Sequence, residues 1–176
     1  MSKDSKTRVA VRSPLPSDCV EFVSAVRRSR TLHGQWIMPK PETPAEFAAY
    51  LKRFTEDKHY GFLVIHRNSG GIVGVININD VVRGNFQNAS LGYYAFTPYA
   101  GQGLMREGMS LVLRQAFGKL KLHRLEANIQ TDNNASIALV KKFGFVREGF
   151  SKRFIKVRGR WKDHERWAII SENFHD

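Results

Sequence analysis

The residues best spaced for chemistry are Tyr99-Ala100-Gly101-Gln102-Gly103-Leu104-Met105, a glycine loop between an aromatic-rich apolar segment and a strongly amphipathic one. Two glycines one residue apart allow a sharp turn and let backbone N–H groups come close to a bulky anion. A helix opening directly behind the loop adds its unpartnered first amides and the positive end of its dipole. The chemistry on offer is phosphate or pyrophosphate binding by backbone. The same spacing suits a tight strand-to-helix turn that needs glycine for its φ angles alone, and on the loop by itself the two readings stand level. No Lys-Ser/Thr follows the glycines, as a Walker loop requires, and no third glycine with a downstream acid closes a dinucleotide-binding βαβ unit. The ligand is a phosphate of another kind.

The elements that must position the loop follow from periodicity. Ala89 to Thr97, bounded by Asn88 and Pro98, has the length and aromatic content of a strand. After the loop, Met105, Met109, Val112, Leu113 and Ala116 repeat at helical spacing, with Arg106, Glu107, Ser110, Arg114 and Gln115 opposite them. Leu122 to Gln130 alternates as a strand, Leu125, Ala127 and Ile129 against Arg124, Glu126, Asn128 and Gln130. A short helix from about Asn134 to Phe143 stops at Gly144, and the strands Phe145 to Val157 and Trp161 to Ile170 flank a turn at Arg158-Gly159. Upstream, Thr7 to Arg12 reads as a first strand. Ser17 is expected to cap a helix over Asp18 to Arg30, with Val20, Val23 and Val26 on its buried face and Cys19 as packing. Thr43-Pro44-Ala45-Glu46 is a capping box opening a helix to about Asp57, its stripe made by Phe47, Tyr50, Leu51 and Phe54. Thr31 to Pro41, with Trp36, reads as irregular between the two helices. Tyr60 to His66 and Ile72 to Val82 form a hairpin around Asn68-Ser69-Gly70-Gly71. The sum is a mixed α/β (α+β) fold: a mostly antiparallel seven-stranded sheet flanked by about four helices, in the order β-α-α-β-β-β-α-β-α-β-β.

At 176 residues the chain suits one domain, 1–176, and buries roughly 70% of its unfolded surface. The one cysteine permits neither an intrachain disulfide nor a cysteine-based metal cluster. No apolar run approaches the ~18 residues of a membrane span, and the charged N-terminus lacks a signal-like apolar stretch, so a soluble, cytoplasmic protein is expected. Twenty-eight Lys plus Arg against 16 Asp plus Glu give a net charge of +12. The excess clusters at Lys3, Lys6, Arg8 and Arg12, at Arg27, Arg28 and Arg30, and along the last two strands from Arg147 to Arg166. Such clusters are solvated faces, or they attract a polyanion such as RNA or a phosphorylated cofactor.

Six motifs run in order: Leu91-Gly92-Tyr93; Gly101-Gln102-Gly103-Leu104-Met105-x-Glu107; His123-Arg124-Leu125; Asp132-Asn133-x-Ala135-Ser136; Gly144-Phe145-x-x-Glu148-Gly149; and Gly159-x-Trp161-x-Asp163-His164. Together they resemble the GNAT superfamily of acetyl-CoA-dependent N-acetyltransferases, most closely the ribosomal-protein-alanine branch (the RimJ and RimL type), over about Val75 to Ile170. The resemblance implies that Gly101, Gln102, Gly103, Leu104, Met105 and Arg106 cradle the CoA pyrophosphate. It implies that Tyr93, Tyr94, Ala95 and Phe96 pair their backbone with the pantetheine arm. It also implies acetyl-CoA as co-substrate, no metal, and direct attack of an amine on the thioester.

Amine acetylation needs a neutral amine, a polarised thioester carbonyl and a proton for the departing thiolate. On the family positions Glu126 is the base candidate, and it equally suits a surface ion pair with Arg124. Ser136 and Asn133 are the acid, carbonyl-side and CoA-contact candidates, and both also suit helix capping. Family members often carry Arg or Gln at Ala100, Gly or Ala at Met105, Glu at Ser90 and a tyrosine acid at Val140. Trp36 and Arg158 border the acceptor cleft in relatives. An α-amine, with a reference pKa of about 7.7–8.0, is roughly a tenth neutral at pH 7, whereas lysine at about 10.4 needs some 4 to 5 kcal/mol to deprotonate. The expected acceptor is thus a protein N-terminus, with the basic surface bringing the enzyme near ribosomes or RNA and the protein acting as a monomer or homodimer. The alternatives are acetylation of a small amine, and a non-catalytic RNA- or ribosome-associated module on the same fold.

Overall fold

Seven strands form one mixed sheet in the computed structural model, which describes residues 7–34, 36–37 and 41–175. They are β1 (Val9–Arg12), β2 (Tyr60–His66), β3 (Ile72–Val82), β4 (Asn88–Ala95), β5 (Arg124–Gln130), β6 (Val146–Val157) and β7 (Arg160–Ile170). Their order is β1-β2-β3-β4-β5-β7-β6, and every neighbouring pair is antiparallel except β4 with β5. The first basic cluster's Lys3 and Lys6, and residues 35 and 38–40 of the irregular segment, lie outside the described residues.

The first seven residues of β3, 72–78, are buried on both faces of the sheet, which is why the strand opens as an apolar run from Ile72 to Ile76. On one face Val64, Ile76, Ile78, Leu125 and Ile129 pack beneath α4 (Leu104–Arg114) with its Met109, Val112 and Leu113. On the other, Leu63, Val75 and Phe96 meet Phe22 and Val26 of α1 (Cys19–Arg28) and Phe47 and Tyr50 of α3 (Pro44–Lys52). Phe22 stands at the centre of that layer, its ring within 5.0–5.6 Å of Phe47, Tyr50 and Phe96. No described helix is long and apolar enough to cross a membrane.

Several local expectations need correction. Five helices are present where about four were expected. The extra one is α2 (Arg30–His33), so the segment read as irregular from Thr31 starts inside a helix; α5 (Asn134–Lys141) completes the set. Val20 is 82% exposed rather than buried. At about 100° per residue the buried arc of α1 is centred near Phe22, and Val20 falls on its far side. Ser17 does not cap α1: it sits in a 3-10 turn, Pro16–Asp18, and Asp18 precedes the helix. The Asp18 carboxylate instead accepts from the Leu15 N–H (2.7 Å) and from the Arg12 guanidinium (2.6 and 2.7 Å), which lowers its pKa. At α3, Thr43 accepts from the Glu46 N–H (3.2 Å), but Glu46 reaches back one residue further than a capping box does, to the Glu42 N–H (2.8 Å).

Candidate functional site

The site is made by a strand pair that stops pairing. β4 and β5 are in register only over Asn88–Ser90 against Arg124–Glu126; beyond that, β4 runs on to Ala95 and β5 to Gln130 without a rung between them. Backbone polar groups of successive strand residues point to opposite sides. The Phe96 N–H donates to the Val73 carbonyl of β3 at 2.7 Å, so Phe96 and Tyr94 face β3 while Tyr93 and Ala95 turn their amides and carbonyls toward the split. One group is already taken: the Ala95 carbonyl accepts from His33 Nε2 at 2.6 Å. The Tyr93 N–H and C=O and the Ala95 N–H remain as an edge that an amide-bearing chain can pair with.

Two cavities open on this split. The smaller, about 360 Å³, is walled by Leu91 and Gly92 of β4, Asn128 and Gln130 of β5, and Lys156 and His164 of the β6–β7 hairpin. The larger, about 470 Å³, runs along Tyr94 and Ala95 to Gly101, Gly103, Leu104, Met105 and Arg106. They share Trp36, Ile37, Tyr93, Asn133 and Ser136, so two ligands entering from opposite ends would meet there.

At the outer end of the larger cavity Gly101 and Gly103 hold φ of +79° and +77°, a region where side chains are strained. Gly103 is the N-cap of α4, leaving the first amides of the helix unpartnered within it. Gln102 turns its side chain away, Nε2 donating to the Pro98 carbonyl (2.9 Å), and its own carbonyl accepts from Arg8 Nη2 (3.0 Å). Arg8 is also fixed on Glu107 in the first turn of α4, Nε to Oε1 at 2.7 Å and N–H to Oε2 at 2.7 Å. Arg106 and Lys142 line this cavity. A backbone cradle flanked by cations, continuous with an unpaired strand edge, fits a pyrophosphate joined to an amide-containing arm. Met105 is accommodated by Gly74 of β3, where a Cβ would stand 2.6 Å from the Met105 Sδ and 2.5 Å from the Tyr94 carbonyl.

The expected catalytic residues separate. Asn133 caps α5, its Oδ1 accepting from the Ser136 N–H (3.1 Å), and both side chains border the shared junction. Tyr93 spans the split, donating its hydroxyl to the Ser136 carbonyl (3.3 Å); burial pushes its pKa up to about 12, so it remains a donor. Glu126 stands on the last paired rung and lines neither cavity. Its Oε1 accepts from Arg124 Nε (2.7 Å), and the same guanidinium binds Glu148, whose pKa it lowers. Trp36 lines both cavities half-buried, and its backbone carbonyl accepts from Gln130 Nε2 (2.7 Å). Arg158 lies at the exposed hairpin turn, and Phe96 faces the core.

Two histidines join the site that the sequence does not single out. His164, 3% exposed, lines the smaller cavity and donates from Nδ1 to the Lys162 carbonyl (2.9 Å), so in a neutral ring Nε2 carries the lone pair. His33, 4% exposed, lines the larger cavity between Tyr94 and Phe96; burial lowers its pKa, and with the proton on Nε2 its Nδ1 is a buried acceptor without a partner among the described residues. The one available signal was the Asp163-His164 pair at the end of the ordered motifs.

Similarity to known proteins covers both the sequence and the fold. A family model described as an acetyltransferase (GNAT) domain matches residues 8–146. The chain is 34% identical over 122 residues to the "Probable N-acetyltransferase YjcK" of Bacillus subtilis, covering 69% of this chain and 67% of the relative. It is 34% identical over 103 residues to the [ribosomal protein uS5]-alanine N-acetyltransferase of Escherichia coli, covering 58% of this chain and 53% of that enzyme, about half its length. The crystal structure of the ribosomal-protein-S5-alanine acetyltransferase of Vibrio fischeri superposes with a TM-score of 0.86 at 25% identity, covering 96% of each chain. The fold alone is shared with the spermidine N-acetyltransferase of Vibrio cholerae, solved with CoA and spermine: TM-score 0.81, 19% identity, 94% of this chain and 97% of that one.

Proposed function

This chain belongs to the GNAT acetyltransferase family, and from that premise we propose that it transfers the acetyl group of acetyl-CoA to the N-terminal α-amine of a polypeptide. The observation that carries the reading is the junction of the two cavities at Tyr93, Asn133 and Ser136, with a pyrophosphate cradle at the end of one and a second mouth at the end of the other. Acetyl-CoA supplies an acyl group activated as a thioester. The chain's part is to hold the cofactor along the Tyr93–Ala95 edge and the Gly101–Arg106 loop, and to bring a neutral amine to the junction through the smaller cavity.

Charge supports a peptide acceptor over a polyamine. The basic described residues lining the smaller cavity are Lys156 and His164, and no described carboxylate lines it to hold a polycation. An α-amine reaches its neutral form at small cost near pH 7. His164 Nε2 is placed to take the amine proton, and Glu126, one rung below the split, is the alternative base acting through water. Ser136 brings a hydroxyl group to the junction, where the departing sulfur needs a hydrogen-bond donor, while the Tyr93 hydroxyl is held on the Ser136 carbonyl. The E. coli and V. fischeri relatives act on ribosomal-protein alanine by name, which agrees with this reading.

Intact-mass measurement after incubation with acetyl-CoA tests it. Peptides with a free N-terminal Ala or Ser should gain one acetyl group, while N-terminally blocked versions and spermidine stay unmodified; turnover of spermidine alone would remove the peptide reading. His164→Gln and Glu126→Gln, compared across pH, identify the base: the variant whose kcat/KM loses an acidic-limb dependence carries the proton.

A further inference from the structure

Between Ser151 and His164 the β6–β7 hairpin is exposed at every residue except Val157, and forms an arm. Over positions 150–163 it carries six cations, Lys152, Arg153, Lys156, Arg158, Arg160 and Lys162, against one acid, Asp163. None of the six makes an ion pair with a described residue, and the Asp163 carboxylate is engaged by the Arg153 backbone N–H at 2.8 Å. Phe154 and Trp161 are 45% and 58% exposed on the same arm. Ile155, Lys156 and Val157, next to its turn, line the smaller cavity together with His164 at its base, so whatever follows the amine out of that cavity passes beside the cations.

Resting on the peptide-acceptor reading, we propose that the acceptor is a polypeptide whose N-terminal residue is followed by acidic residues, which the arm binds. An extended peptide advances about 3.3 Å per residue, so residues 3 to 6 behind a buried amine lie roughly 7–17 Å out. Such residues emerge beside the cations that flank Ile155–Val157, Arg158 and Arg160 at the turn among them, where charges closer than the Debye length of about 10 Å at 0.1 M salt still interact. A field of one sign along the exit raises the local concentration of an anionic tail and disfavours a cationic one. A second copy of this arm would bring like charges together, which argues against self-pairing.

The test uses three peptides of equal length with N-terminal Ala and Glu, Gln or Lys at positions 3–6, assayed for kcat/KM. The Glu peptide should exceed the Lys peptide at least tenfold at 50 mM salt, and the ratio should shrink severalfold at 500 mM. In Lys152→Glu/Arg160→Glu/Lys162→Glu the Glu-over-Gln ratio should fall to one or below; because the ratio is internal to each preparation, partial loss of folded enzyme does not alter it. Equal turnover of all three peptides would overturn the inference while keeping the α-amine reading. No turnover of any peptide removes both. Charge-blind turnover together with inhibition by polyuridylate at low salt would assign the arm to nucleic acid instead.

Discussion

His33 concentrates in one ring the tension between burial and function. Its Nε2 proton is committed to the Ala95 carbonyl, so the ring serves as acceptor at Nδ1 only while neutral. Burial lowers its pKa, whereas in the unfolded chain it returns to the ordinary value near 6.5. Between those values the unfolded chain binds more protons than the folded one, so stability rises with pH. The contribution is fully present above about pH 6.5 and is lost as pH falls below it toward the depressed folded value. Asp18 and Glu148, whose pKa values are also lowered, act only in a more acidic window, below the ordinary carboxylate range near 4. The wild-type Tm should therefore decline between pH 7 and 5.5, and His33→Phe, which keeps the aromatic packing against Tyr94 and Phe96, should flatten that decline. An unchanged slope would show that His33 is not the titrating group.

Helix α4 links the cradle to the sheet through two close approaches that differ in kind. Gly103 is required by its φ of +77°, and an alanine there costs roughly 1–2 kcal/mol of backbone strain. Gly108 is required by contact: a Cβ would stand 2.7 and 2.8 Å from the two methyls of Val64, a fully buried β2 residue, and the overpacking costs about 1–3 kcal/mol. Gly103→Ala and Gly108→Ala should lower Tm comparably, but only Gly103→Ala should also weaken CoA binding tenfold or more, read by calorimetry. Retained CoA affinity in Gly103→Ala would return the loop to a plain turn. The strands and longer helices were legible in the sequence because local chemistry sets them: alternation in β5, the Gly144 stop with φ of +83°, and the Arg158-Gly159 turn with φ of +49° and +78°. The four residues of α2 were not, for no side chain caps that helix and its position is set by His33 packing onto β4. Val20 misled because every third residue looked apolar while the inner arc of α1 is set by Phe22, Ala25 and Val26.

On the scale of the whole molecule, the sheet is two blocks, β1–β4 and β5–β7–β6, joined through three rungs between β4 and β5. The glycine loop was legible because glycine spacing is local, whereas His33 was hidden because its partner is distant: it meets Ala95, 62 residues away. Glu126 illustrates the converse, since alternation marks its face of β5 but says nothing about Arg124 holding it at the foot of the split. On the proposed function the cofactor's arm would act as a missing strand between the blocks, and the consequence can be read amide by amide. The Phe96 N–H is bonded to β3, and Tyr94 shares that side, whereas the Tyr93 and Ala95 amides point into the split. In hydrogen exchange followed by NMR, Tyr94 and Phe96 should be protected with or without ligand. Tyr93 and Ala95 should exchange faster in the free protein and slow at least tenfold with saturating acetyl-CoA. Addition of 3′-phospho-ADP, which has the phosphates but no arm, should protect the Gly101–Met105 amides while leaving Tyr93 and Ala95 fast. Uniform slowing of all four strand amides by either ligand would instead signify global stabilisation, and the strand-pairing account of the split would then be wrong.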